Sequence, residues 1–240
     1  MMGLRHVLLG LAALSTLGTP ASCAPSPPST ARIVSRQALV LELLLDGNAR
    51  DTSGSDSDGV VEGATLVDDR FGRPGRAYHF DGDDFIIVSP PPSLSREALT
   101  VSVWARYDSS EFDWWNNAIL CQDSGDEDGR RIIQLSTEDR SITWHRMDFG
   151  RDAHSLVPLE IGRWYHVVVT FDGAFHRLYI DGLLHDSRRG RLISHPDEPL
   201  YLGRKGSDEP EFNFRGGLDD LRIYNRALTG EEILQLYGEA

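Results

Sequence analysis

ALTVSVWARY, Ala98–Tyr107, alternates without a break. Val101, Val103 and Ala105 fall on one side and Thr100, Ser102, Trp104 and Arg106 on the other, the period-two pattern of a β-strand with one face against a core. Similar runs extend in both directions: ALVLELLL, RAYHF and FIIV before it, then AILC, RIIQLS, SITWHR, WYHVVVTF, RLYI, LLHDS, LYLG and LRIY after it. Gly, Asp and Pro separate them at the short intervals of a sandwich or barrel. RLYIDGLLHDS is the plainest hairpin, because Asp181 and Gly182 both tolerate the positive φ of a type I′ turn. Helical signals come only at the end. Thr229 and Glu232 form a capping box there, and Leu228 is placed to staple Ile233 at the entry of a short helix ending near Tyr237.

The chain has 240 residues, 40% of them hydrophobic, enough for one sizeable core. Acids outnumber bases 37 to 24, for a net charge of −13. Such a field repels nucleic acid and anionic membrane, and it suits a soluble surface or acidic loops that hold calcium.

Residues 1–23 read as an export signal rather than structure. Arg5 and His6 precede the apolar run Val7–Leu17, which is too short to span a bilayer, and small residues follow it. Cys23 leaves two alternatives. One is a free mature end; the other is a lipidated Cys23 anchoring the chain, although Pro20 stands where the lipoprotein signal usually has Leu. Residues 24–37 are Pro/Ser-rich and read as a tether, with the folded domain expected over 38–240. Cys121, in AILCQ, reads as a buried strand residue. The spacing of cysteines and histidines announces no zinc site.

Seven segments in a fixed order carry a resemblance: LELLLDGNARDTSG, GRAYHFDGDDFIIV, LTVSVWARY, WYHVVVTFDG, RLYIDGLL, LYLGRK and FRGGLDDLRIYNRALTGEEI. The chain resembles the laminin-G-like, or concanavalin-A-like lectin/glucanase, jelly-roll domains of secreted bacterial proteins from about Ala38 to Tyr237. The resemblance implies an all-β fold, two antiparallel sheets packed as a jelly-roll sandwich with a short C-terminal helix. It leaves function open among lectins, glycan hydrolases, adhesion modules and receptor-binding domains.

The residues weigh against catalysis. Glycan hydrolases of this fold place an acid and a nucleophile at alternate positions of one strand, in an E-x-D-x-E pattern that is missing here. Asp81 and Asp83 flank Gly82 in an expected turn, and Asp126, Glu127 and Asp128 belong to an expected loop. No Gly-x-Ser-x-Gly elbow occurs, and His166 reads as a packed strand residue. The expectation is a non-catalytic module that recognises an extracellular glycan or protein. A glycan-degrading enzyme and a structural or adhesive envelope domain are the alternatives.

The local candidate for binding is DSSEFDWWNN, Asp108–Asn117. Trp114 and Trp115 offer a stacking surface for a sugar ring, and Asp113, Asn116 and Asn117 offer hydrogen bonds to its hydroxyls. The stretch GGLDDLRIY, Gly216–Tyr224, carries adjacent acids whose purpose is open among catalysis, metal binding and solvated charge. Adjacent strand residues project to opposite faces, which speaks against a catalytic pair. The resemblance implies that the first and last strands are neighbours, which brings Asp46 and Asp51 toward Asp219 and Asp220. The expectation is a structural calcium bound by the carboxylate of Asp219 or Asp220, with the other serving through its carbonyl or an outer contact, and by Asp46 or Asp51.

Overall fold

A computed structural model describes Val34, residues 36–108, 117–123, 131–138, 140–145, 152–192, 198–206 and 212–239, with backbone alone at 123, 131–134 and 138. The strands are β1 (Leu39–Leu43), β2 (Gly59–Glu62), β3 (Thr65–Val67), β4 (Ala77–Asp81), β5 (Phe85–Val88), β6 (Leu99–Tyr107) and β7 (Asn117–Asp123). They continue with β8 (Arg131–Glu138), β9 (Ser141–His145), β10 (Ala153–His154), β11 (Trp164–Phe171), β12 (Phe175–Ile180), β13 (Leu183–Arg189), β14 (Leu200–Leu202) and β15 (Arg215–Tyr224). One helix, α1 (Gly230–Tyr237), follows.

Two antiparallel sheets result. The larger runs β13-β12-β11-β6-β15-β4-β3, with β1 also on β15, and the smaller runs β10-β9-β8-β7-β14-β5-β2. Their inner faces meet in one core. Val101 and Val103 of β6, Val167 and Val169 of β11, and Leu218 and Ile223 of β15 meet Ile86, Leu120, Leu135, Trp144 and Leu202 from the smaller sheet. Alternation in the sequence therefore marks the core side correctly at β6.

The opposite face of the larger sheet is also covered. Helix α1 buries Ile233 and Leu236 in a second cluster with Val168, Tyr224 and Leu228. The capping box forms: Glu232 N donates to Thr229 Oγ1 at 3.3 Å, and Thr229 N donates to Glu232 Oε2 at 2.9 Å. Val34 belongs to this second cluster and is buried, although it lies in the stretch expected to be tether. The hairpin between β12 and β13 turns at Asp181 (φ 51°) and Gly182 (φ 79°), both in the left-handed region.

Strand β15 organises the site. It pairs with β6 along one side; along the other it pairs first with β4, through residues 215–218, and then with β1, through residues 221–224. Between the two halves the register against β6 slips by one residue, from Asp219 opposite Trp104 to Arg222 opposite Ser102. This is a β-bulge, and Asp220 within it takes φ 46°.

Candidate functional site

The bulge changes what two adjacent aspartates can do. In a regular strand their carboxylates would diverge, but the extra residue and the left-handed turn at Asp220 aim both at one target. That target is Arg70. Its Nη1 lies 2.7 Å from Asp219 Oδ2, and its Nη2 lies 2.7 Å from Asp220 Oδ2. The expectation that the two side chains must part is corrected by this geometry.

Arg70 is presented by DDRFGRPG, the loop between β3 and β4. Asp69 folds that loop around itself: Oδ1 accepts the amides of Phe71 and Arg73, each at 2.8 Å, and Oδ2 accepts Arg73 Nε at 2.6 Å. The guanidinium then lies against two rings, 4.5 Å from the Phe71 centroid and 4.6 Å from that of Trp104. Trp104 stacks in turn on Tyr237 of α1. Beside it His166, whose Nε2 is 2.9 Å from Ser102 Oγ, is depressed to about 3 by burial and then by the charges of Arg70 and Arg222. Burial and the Asp220 carboxylate push Asp219 the other way, up to about 7, against the pull of Arg70.

The aspartates named as candidate calcium ligands have these partners. Asp46 Oδ2 meets Arg76 Nη1 at 3.0 Å. Asp51 accepts the amides of Glu42, Ser53, Ser55 and Ser57 and the Ser53 hydroxyl, so both its oxygens shape the loop after β1. Asp219 and Asp220 are bridged by an arginine fork. Calcium takes about 6 to 8 oxygen donors. Among the described residues, three carboxylates within 4.8 Å of one another occur elsewhere, at Asp81, Asp83 and Asp84. Asp81 ends β4 and Asp83 and Asp84 follow in the turn, where the sequence placed Asp81 and Asp83, and Asp84 Oδ2 accepts the Asp81 amide at 2.9 Å.

That turn belongs to the end of the sandwich where the candidate binding segment is attached. Trp114, Trp115, Asp113 and Asn116 lie outside the described residues. The residues on either side of the segment are fixed. Asp108 accepts Arg106 Nε at 2.8 Å and Nη2 at 2.7 Å, and its amide donates to Arg215 O at 3.1 Å. Asn117 is buried, and its side-chain amide donates to Asn213 O at 2.9 Å; Asn213 in turn donates to Gly82 O at 2.9 Å. Asn117 thus ties three loops together.

Beside them is an aromatic shelf that sequence reading did not single out. Phe85 and Tyr201 meet edge to face at 6.3 Å on the outer side of β5 and β14, and the Arg204 guanidinium lies 4.4 Å from the Phe85 centroid. Lys205 Nζ sits 3.2 Å from the Phe212 centroid. The signals were present in FIIV and LYLGRK, where Phe85 and Tyr201 occupy the non-core positions of two strands that pair with each other at Ile87 and Tyr201.

A further polar constellation lies on the outer face of the smaller sheet. His145 Nε2 is 3.0 Å from Ser136 Oγ, and its Nδ1 is 3.0 Å from Asp152 Oδ2. The order is that of a nucleophile, base and orienting acid. Ser136 is fully buried, however, and β8 lies between β7 and β9 in the sheet, so its amides belong to two ladders.

Comparison with known proteins agrees with this architecture. Residues 80–234, more than half of the chain, match the family model of the concanavalin A-like lectin/glucanases superfamily. The chain belongs to that family, as the order of its seven segments suggested. Mouse pappalysin-1 is 26% identical over 186 residues, 67% of this chain and 11% of that protein. A botulinum-like toxin of an Enterococcus strain is 31% identical over 77 residues, 31% of this chain and 6% of that protein. The chain therefore spans about a tenth of the length of such relatives or less.

Among solved structures, domain 4 of AbnA, an extracellular arabinanase of Geobacillus stearothermophilus in complex with arabinotriose, superposes with TM-score 0.64. It is 19% identical, with 83% of this chain and 98% of that one covered. The binding domain of Paraclostridial Mosquitocidal Protein 1 gives TM-score 0.65 at 22% identity, over 84% and 52% of the chains. The ligand binding domain of botulinum neurotoxin serotype D, in complex with N-acetylneuraminic acid, gives 0.63 at 20%, over 85% and 51%. These likenesses carry the fold.

Proposed function

We propose that this domain is an exported, non-catalytic binding module that recognises an extracellular glycan or protein surface at the loop end of its sandwich. The carrying observation is the shelf of Phe85, Tyr201 and Arg204 beside the fixed attachments of the Trp114–Trp115 segment. Aromatic faces and edges supply apolar contact to a sugar ring or side chain, and the amides, carboxylates and guanidinium around them supply direction. Two of the structural neighbours are named for a bound saccharide, which supports the glycan form of this reading.

Chemistry on the chain has poor support. Asp81, Asp83 and Asp84 share one tight turn, so all three lie on the same side of any substrate, whereas glycoside hydrolysis needs carboxyls flanking the bond. The Ser136 hydroxyl has neither access nor oxyanion donors on its own strand, because those amides are spent in the sheet. Export rests on the segment 1–23, which lies outside the described residues, and the mass of the mature N-terminus distinguishes a lipidated Cys23 from a free end.

The test is a glycan array, backed by a binding screen on extracellular proteins, with wild type, Trp114→Ala and Arg204→Ala. Binding by wild type that both variants weaken is the expected result. Binding that neither variant changes moves the site elsewhere. Release of products from polysaccharides would overturn the non-catalytic reading.

A further inference from the structure

We propose that the guanidinium of Arg70 is the resident cation of this sandwich, filling the position that the paired aspartates would otherwise offer to calcium and making closure of the last strand independent of metal. The proposal does not depend on what the domain binds.

Three observations carry it. The first is occupancy: both Oδ2 atoms, of Asp219 and Asp220, are engaged at 2.7 Å by the two terminal nitrogens of one planar fork. A fork that meets one carboxylate with each prong is a match of shape that a spherical ion does not need and a lysine cannot reproduce. The second is enclosure. The Arg70 side chain is 6% exposed and packed against Phe71 and Trp104, so the fork is held by apolar walls as well as by charge. The third is pairing along the strand. Arg222, the next cation along β15, is already matched by Glu42 Oε1 at 3.0 Å and Glu239 Oε2 at 2.7 Å.

Calcium arriving here would have to displace a cation tethered to the same chain, which competes as an intramolecular partner. Among the described residues, the oxygen that lies beside the fork beyond the two carboxylates is the Glu239 carbonyl, 3.5 Å from Nη2. A calcium ion seeks roughly 6 to 8 oxygens. The position explains why a cation is needed. Asp219 and Asp220 stand where β15 leaves β4 and takes up β1, and the bulge that makes the exchange turns two negative groups toward one buried spot. Arg70 offsets part of that charge and ties the β3–β4 loop to the middle of the last strand, 149 residues away along the chain.

Thermal melting of the whole domain, in millimolar calcium and in chelator, tests this with wild type, Arg70→Ala and Arg70→Lys. Wild type is expected to melt at the same temperature in both buffers and to retain no calcium after dialysis. Arg70→Ala leaves two buried acids unpaired and is expected to lose on the order of 10 °C in Tm. Low-millimolar methylguanidinium should restore part of that loss while leaving wild type unchanged. Arg70→Lys should fall between, since it replaces the charge but not the fork. If Arg70→Ala does not fold, the lysine variant carries the same comparison. The proposal is overturned if calcium raises the Tm of wild type and Asp219→Asn abolishes that rise, or if methylguanidinium helps the Arg70 variants no more than wild type.

Discussion

Asp220 takes φ 46° inside a strand, and its Oδ2 lies 2.7 Å from Arg70 Nη2. The two facts belong together, because the left-handed turn is what brings this carboxylate round to the side of its neighbour. Substitutions at Asp220 therefore separate backbone from charge. Asp220→Asn keeps a residue type that tolerates the left-handed region but loses the charge, and should cost about 1 to 2 kcal/mol. Asp220→Val loses the charge and adds backbone strain of about 1 to 3 kcal/mol, so it should be clearly the worse. Urea denaturation of the three proteins gives the order, and equal losses for Asn and Val would show that strain at this position is unimportant.

The glycines before the aspartates have their own reason. A Cβ on Gly216 would stand 1.9 Å from the Arg106 carbonyl oxygen, which belongs to the neighbouring strand and cannot retreat without breaking the pairing. A Cβ on Gly217 would meet the far edge of the Trp164 ring at 2.7 Å, a side chain that can swing away. Gly216→Ala should thus destabilise by more than about 3 kcal/mol, and Gly217→Ala by much less. Matching denaturation midpoints would contradict this account.

Legibility in the sequence followed the range of the interactions. Eleven further segments read as strands beside β6 are strands, since each carries its own burial pattern and turn punctuation. Strands β2, β3 and β10 went unread: GVVE and TLV are short and largely exposed, and β10 has two residues. The bulge at Asp219–Asp220 was invisible because it arises from a change of partner strand, which no local pattern encodes. Arg70 was unreadable for the same reason. Nothing in DDRFGRPG says that its arginine will meet an acid 149 residues further along the chain. Asn117 was named for its neighbours, whereas the bond of its side-chain amide to Asn213 O joins positions distant in sequence and had no local signal.

Val34 packs into the second cluster of the sandwich. Its side chain is buried with Val168, Leu228, Ile233 and Leu236, where the helix meets the larger sheet. A chain beginning at Ile33 should match the stability of the longer protein, whereas one beginning at Ala38 loses this contact and the Arg36 to Glu42 ion pair. Burial of one valine is worth about 1.5 to 3 kcal/mol, so the second truncation should unfold at visibly lower denaturant. Identical midpoints for the two truncations would return residues 34–37 to the tether.

Two buried titrating groups on the same face impose opposing pH dependences. His166 sits at about 3 in the fold, below its usual 6.5, so between those values the unfolded chain holds the extra proton. Its contribution to stability is present above pH 6.5 and is lost as pH falls toward 3. Asp219 sits at about 7, above its usual 3.8, so here the folded chain holds the extra proton. Its contribution is present below 3.8 and is lost as pH rises through 7. Across the shared window, 3.8 to 6.5, the slopes have opposite sign and similar size, up to about 1.4 kcal/mol per pH unit each. Removing one should expose the other. Relative to wild type, His166→Gln should grow less stable as pH rises from 4 to 6.5, and Asp219→Asn should grow more stable over the same range. Denaturant midpoints at several pH values within that window measure both differences. Parallel curves for all three proteins would mean that neither group changes its proton on folding.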